Sequence, residues 1–309
     1  MKLIYNLFKA TCLLLLANVA IFASSCEDNN PKPPVELPLT VEASQRALLI
    51  YSGSTNTTSC GSLAYPAFLS ALSNEPNIIG ANMQLKTLTY LVPLYFKSAT
   101  NDTPFVAPFI TELHRYTSAP DSTAVPTFWM NNQYIGNAST TDADILFNYN
   151  KNVAGFTPDL GVAAKAKSLS NNQIEITYKT KSFKSLQGDY HASVFILEDS
   201  VEGYQAGAPN SFVSHRHVIR ASAINNAASI PTAVNSIPMI SNPSANTEVE
   251  KTATFTYEPV RQTVKDMLPS LIYWDYVPTN TSVLVCIWKK TTSSSKPFEF
   301  VNAVKVPVK

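Results

Sequence analysis

The chain has 309 residues, 45% of them hydrophobic, and its 23 basic and 22 acidic side chains give a formal net charge of +1. Nothing in that near-balance suggests a nucleic-acid partner, which would want a basic face. With only 9 glycines there is no phosphate-cradling glycine loop, and neither Gly-x-Ser-x-Gly nor His-Glu-x-x-His occurs, which removes the usual hydrolase signatures.

Residues 1–25 read as an export signal rather than as fold. Lys2 and Lys9 make a positive start, "CLLLLANVAIF" (12–22) is an apolar core too short to span a bilayer comfortably, and "ASSC" (23–26) sets small residues before a cysteine. A cysteine at that place predicts lipoprotein processing, with Cys26 as the lipidated N-terminus that holds the chain to a membrane. Ala23 stands where the usual lipoprotein box has leucine, and the alternative is ordinary cleavage nearby without lipid. "EDNNPKPPVELPLT" (27–40) is polar and proline-rich and cannot bury enough apolar surface to fold, so anchor and tether are expected over 26–44. No other run is long and apolar enough to cross a bilayer. Without the leader, which holds two lysines and no acid, 21 basic residues face 22 acidic ones. The remainder suits about two domains.

Over 45–153, strand-like and helix-like segments alternate. "QRALLIYSG" (45–53) reads as a buried strand. "SCGSLAYPAFLSALSNE" (59–75) carries apolar residues at helical spacing, with Thr58 or Ser59 placed to cap it and Pro66 to kink it or delay its start. "NIIGANMQLKT" (77–87) is a second strand and "APFITELHRYT" (107–117) a second helix. "AVPTFWMN" (124–131) is a third strand that turns out through "NNQYIG". "TDADILFNYN" (141–150) is a closing helix with Thr141 and Asp144 as a capping box. This order predicts an α/β unit on one central sheet.

From 156 onward the texture changes. "QIEITYKTKSF" (173–183) alternates apolar and polar residues with a period of two. Strands follow at "YHASVFILED" (190–199), "RHVIRASAI" (216–224), "KTATFTYEPV" (251–260), "SVLVCIWKK" (282–290) and "FEFVNAVKVPV" (298–308), with a short turn at "RQTVKDML" (261–268). Six or seven strands so spaced predict an antiparallel β-sandwich over 156–309.

A strand leading to Cys60 at a helix start, with "VPT" (125–127) before a later strand, resembles a thioredoxin-like domain. The C-terminal half carries "SVFILEDSVEGYQ" (193–205), then "FVSHRHVIRASA" (212–223) and "FVNAVKV" (300–306). In this order, behind a lipoprotein leader, the chain is similar to the outer-membrane protein 28 (Omp28-related) family of Bacteroidota lipoproteins. The resemblance implies a thioredoxin-like α/β domain followed by an all-β immunoglobulin-like sandwich, exported to the outer membrane, with surface binding or adhesion as its role. It implies that Pro126 is cis and faces Cys60. Glu27 and Asp28, directly after the lipid cysteine, fit the acidic signal that sends such lipoproteins to the cell surface. "DST" (121–123) and "DSV" (199–201) match the loose O-glycosylation pattern of that phylum.

Dithiol exchange needs an attacking and a resolving cysteine, usually as Cys-x-x-Cys. Here Leu63 stands three residues after Cys60, so Cys60 and Pro126 read as a degenerate redox site on a retained scaffold. An oxidising compartment would permit a Cys60–Cys286 bridge, but the two thiols fall in different halves and are expected to be free. Cys286, in "VLVCIW", is expected to pack in the sandwich core as a small hydrophobe. His215 and His217 are two apart and would share a strand face, which can begin a metal site. No third ligand lies near them in sequence and Arg216 brings positive charge, so no metal is expected. His114 and His191 are isolated. Glu198 and Asp199 point to opposite faces of a strand and make no paired-carboxylate site. The expected protein is a lipid-anchored binding or adhesion module for a protein or glycan at the outer membrane, without cofactor or catalysis. The alternative is a periplasmic monothiol redox protein using Cys60 beside Pro126.

Overall fold

The structure, a computed structural model, describes residues 38–86, 125–170, 172–210, 212–223, 236–256, 278–293 and 298–309. The leader, Cys26 with its acidic neighbours, most of the tether, the helix expected over 107–117, His114, residues 121–123 and the turn expected over 261–268 lie outside the described residues.

Strand β1 (Ala47–Ser54) is buried along its whole length because both of its faces are covered. Ala47, Leu49 and Tyr51 face helices α1 (Tyr65–Asn74) and α2 (Asp142–Asn152), in one cluster with Phe68, Ala71, Ile145 and Tyr149. Leu48 and Ile50 point the other way, toward Ile79, Met83 and Trp129. A strand run without polar alternation is the pattern that two-sided burial produces. Strand β2 (Ile78–Lys86) pairs with β1 in parallel, and α1 supplies the crossover between them. Strand β3 (Thr127–Met130) lies antiparallel on the other edge of β1, and β4 (Gln133–Gly136) folds back on β3 through a turn that puts Asn131 at a φ of 59°. The capping box at α2 is present: the Asp144 amide donates to Thr141 Oγ1 (3.2 Å) and the Thr141 amide to Asp144 Oδ2 (2.9 Å). The Thr141 amide, and then the Thr141 hydroxyl, donate to the Asp144 carboxylate and hold it below its usual range.

The C-terminal half contributes β5 (Leu160–Leu169), β6 (Gln173–Ser182), β7 (Asp189–Glu198), β8 (Val201–Tyr204), β9 (Phe212–His215), β10 (Val218–Ser222), β11 (Ser236–Ser241), β12 (Glu248–Thr256), β13 (Thr281–Lys290) and β14 (Phe298–Pro307). β5, β8, β9 and β11 were not legible as strands in the sequence. β5 carries three alanines, which have low strand propensity, and Pro238 interrupts β11, where the register shifts.

Among the described residues, one nine-stranded mixed sheet runs in the order β14-β13-β7-β10-β2-β1-β3-β4, with β11 also on β7. It crosses the change of texture at 153–156. The crossing point is β10, antiparallel to β7 and parallel to β2 at Val218 and Asn82. Asn82 closes the join: its amide donates to His217 O (2.8 Å) and its side chain to Arg216 O (3.2 Å). A three-stranded sheet, β12-β6-β5, covers the C-terminal part of the large sheet, and the two faces share a core of Leu160, Ile174, Ile176, Tyr178, Val194 and Val285. The change of texture is therefore a change of cover, from helices over the sheet to a second sheet over it.

Leu39–Lys309 forms one compact unit. The last residues of the expected tether already pack on it. Val41 is buried, and Ser44 O accepts from the side chain of Asn302 (2.9 Å), which also donates to Leu160 O (3.2 Å) while its Oδ1 accepts from the Arg46 amide (3.1 Å). One buried asparagine so ties the entrance of β1 to β5 and β14. No helix among the described residues is long and apolar enough to cross a membrane.

Candidate functional site

β1 delivers the chain to Ser54, and a turn closed by Thr57 N to Ser54 O (3.3 Å) and Cys60 N to Thr57 O (3.1 Å) brings it round to the cysteine. Cys60 heads a single wide π-helical turn, Cys60–Ala64, that runs into α1, with Pro66 in the first turn of α1. Neither Thr58 nor Ser59 caps this start through its side chain. Ser62 Oγ instead donates back to Thr58 O (3.0 Å), so the expected cap is replaced by a wider turn. Leu63, where a resolving cysteine would stand, is 57% exposed.

The thiol itself has no exposed surface. The Ser54 amide donates to Cys60 Sγ at 3.4 Å. Tyr51 lies on the same face of β1 as Gly53, and its phenol extends over the space that a side chain at residue 53 would fill. Its hydroxyl stands beside the sulfur, outside ordinary hydrogen-bond geometry. Burial pushes the Cys60 thiol up, while the Ser54 amide and the Tyr51 and Thr57 side chains pull it back. The net direction is upward, so the sulfur rests as a thiol near neutral pH. Burial, with the nearby thiol adding to it, pushes the Tyr51 phenol well above its ordinary value.

The Val125–Pro126 bond is cis and Pro126 is buried. Thr127 pairs with Ser52, so the antiparallel register sets Pro126 beside Gly53, one residue from the amide that holds the thiol.

A segment remote in sequence completes the site. β8 and β9 form a two-stranded sheet of their own, and the turn that leaves β8 lies on the cysteine loop. The Ala206 amide donates to Thr55 O (2.8 Å), and Gln205 Nε2 donates to Ser54 O (3.2 Å) and Thr57 O (3.4 Å). Gly207, at a φ of 79°, sits so close to the Thr58 carbonyl that a Cβ there would collide with it, and Gly61 stands in the same relation to Ala206 O. At the far end of the hairpin, Tyr65 of α1 donates to Ser214 O (3.2 Å) and accepts the Arg216 amide (2.6 Å). Sequence reasoning missed Tyr51, Tyr65, Gln205 and Gly207. A polar-tipped residue on a strand that leads into a cysteine loop was the one local signal, and nothing in sequence links 205–207 to 54–61.

The other candidates separate. His215 ends β9, and His217 sits in the turn before β10 at a φ of 56°, so the shared strand face expected for them is broken by that turn. His215 is buried against Tyr65 (ring centroids 5.4 Å apart), whereas His217 meets Lys305 Nζ (Nδ1, 2.8 Å) and Asp199 Oδ1 (backbone amide, 2.6 Å). Among the described residues no cluster of three or more His, Cys, Asp or Glu could hold a metal. Glu198 pairs with Arg220 (2.9 Å). Cys286 and Cys60 are both free and buried. Cys286 lies not in the core between the two sheets but on the opposite face of β13, with Leu284 and Trp288, and burial pushes its thiol far up.

No family model matches the chain, and no curated protein matches it. Solved structures do. HBP35 of Porphyromonas gingivalis superposes with a TM-score of 0.57 at 12% identity, over 87% of this chain and 77% of its own. At that identity the likeness is one of fold. A domain of the outer membrane lipoprotein Omp28 from Porphyromonas gingivalis is also among the structural neighbours, at a TM-score of 0.30 and 14% identity, over 49% of this chain and 88% of its own.

Proposed function

We propose that this chain is an exported, lipid-anchored envelope protein in which a thioredoxin-like half, joined to an immunoglobulin-like sandwich, is kept as a scaffold for binding a protein or glycan rather than for disulfide exchange. One observation carries this reading: Cys60 is wholly buried while Leu63, in the resolving position, is 57% exposed. Exchange needs an accessible thiolate and, for turnover within one chain, a second thiol to release the mixed disulfide. Cys286, in a different cluster of the sheet, is not in place to serve. The parallel β1–α1–β2 crossover and the cis proline beside the thiol loop support the thioredoxin-like assignment. The two-sheet core supports the sandwich. The leader with Cys26, Glu27 and Asp28 supports anchoring at the outer membrane, with the acidic pair favouring the cell surface.

The test is reduction of insulin disulfides in excess dithiothreitol. Wild type and Cys60→Ser are expected to match the uncatalysed rate and each other. Sustained turnover that disappears in Cys60→Ser would replace this reading with a monothiol redox protein.

A further inference from the structure

We infer that the β8–β9 hairpin is a releasable strap over the cysteine loop, and that lifting it presents Cys60 as a monothiol able to form one mixed disulfide with a disulfide-bearing partner. The inference rests on the reading above, that the thiol is sealed and does not cycle. Its ground is a contrast in how firmly neighbouring parts are held.

The hairpin is a weak element by construction. Its two strands have four residues each and, among the described residues, pair only with each other. An isolated two-stranded ribbon is marginal on its own, so the latch depends on the contacts of Gln205, Ala206, Gly207 and Tyr65. Those contacts are incomplete. Gln205 is 1% exposed and donates through Nε2, but its Oε1 has no partner. A buried polar atom without a partner is costly and regains water when the region opens. This orphan lies at the latch, so local opening relieves it.

Opening also changes the thiol. The largest influence raising it is burial, inside a loop that the strap holds at Ser54, Thr55 and Thr57 and abuts at Gly61. The groups that favour the thiolate, the Ser54 amide and the Tyr51 and Thr57 side chains, belong to β1 and its own loop and remain in place. The exposed thiolate attacks one sulfur of a disulfide R–S–S–R, forms Cys60–S–S–R and expels R–S⁻, and its proton has already gone to solvent. With leucine at residue 63 the reaction stops at one equivalent.

Cys286 is the internal control, because β13 is paired on both edges, with β7 and β14, and can open only with the sheet. The full chain is treated with an aryl disulfide over a shallow urea series, and labelling is read cysteine by cysteine by peptide mass. Cys60 is expected to label faster than Cys286 and with a weaker urea dependence. Gln205→Ala and Tyr65→Phe are each expected to speed Cys60 by about tenfold, the equivalent of one lost buried hydrogen bond, and to leave Cys286 unchanged. Labelling of both cysteines together, with one urea dependence in wild type, would overturn the strap and needs no variant to fold. Reaction of native Cys60 at the rate of an unprotected thiol would overturn it too. Repeated insulin reduction, by contrast, would sink the scaffold reading and not the strap.

Discussion

His217 shows how much a single side chain in this fold depends on its neighbours. It sits in the turn that leads into β10, under the edge of Phe68 (6.1 Å), with Lys305 donating to Nδ1 and Asp199 accepting its amide. Burial, and then the positive charge of Lys305, lowers its pKa from 6.5 to about 4, against the pull of Asp199 and with a further push from Arg216. The folded chain therefore keeps the ring neutral where the unfolded chain protonates it. Stability from this site is whole above about pH 6.5 and is lost as the pH falls toward about 4. Urea midpoints measured across that window are expected to fall, and His217→Gln is expected to flatten the fall. His191, whose burial also lowers its pKa, keeps a share of the slope in the variant. An unchanged slope in His217→Gln would contradict this assignment. At this scale the sequence was informative where chemistry announces itself. Cys60, Leu63 and Pro126 could be picked out because redox sites have fixed spacings. The partners of His217 could not, since Asp199, Lys305 and Phe68 reach it from three separate stretches of chain.

Among the elements, β10 is short but holds the join. Val218 pairs with Glu198 and Ile219 with Leu197, but the next match is Ala221 with Ile196, so Arg220 is the extra residue of a bulge. The bulge turns its guanidinium onto Glu198 in a pair whose side chains are 5% and 14% exposed. Burial raises the Glu198 carboxyl, and Arg220 works against that shift. Removing one partner strands a buried charge, so Arg220→Ala is expected to cost about 3–5 kcal/mol in urea unfolding, whereas replacing both residues with apolar ones is expected to cost far less. A loss for Arg220→Ala within the error of the measurement would show that the pair does not hold the join. Strong elements were legible in the sequence: α2 with its capping box, and β6, β7, β13 and β14 with their long apolar or alternating runs. β5 escaped because Ala164 and Ala166 pack in the core between the sheets without looking like a strand. β8 and β9 escaped because four residues are too few to display a period.

Across the whole molecule, the sequence suggests two domains, whereas among the described residues one nine-stranded sheet runs through both halves. Both readings have a physical basis. Periodicity reports what covers a strand, so helices over β1–β3 and a second sheet over β7 and β13 give two textures. It does not report which strand lies beside which, and the β2–β10 pairing that joins the halves involves residues 82 and 218. This continuity lets a hairpin of the second half lie on the cysteine loop of the first, and the account of a silent thiol depends on it. Hydrogen exchange of the full chain over a urea series tests it most directly. The account predicts that the amides of β1 and β3 and those of β7 and β13 open in a single step, with one free energy and one urea dependence. Separate openings, with β1 and β3 exchanging well before β7 and β13 lose protection, would contradict it.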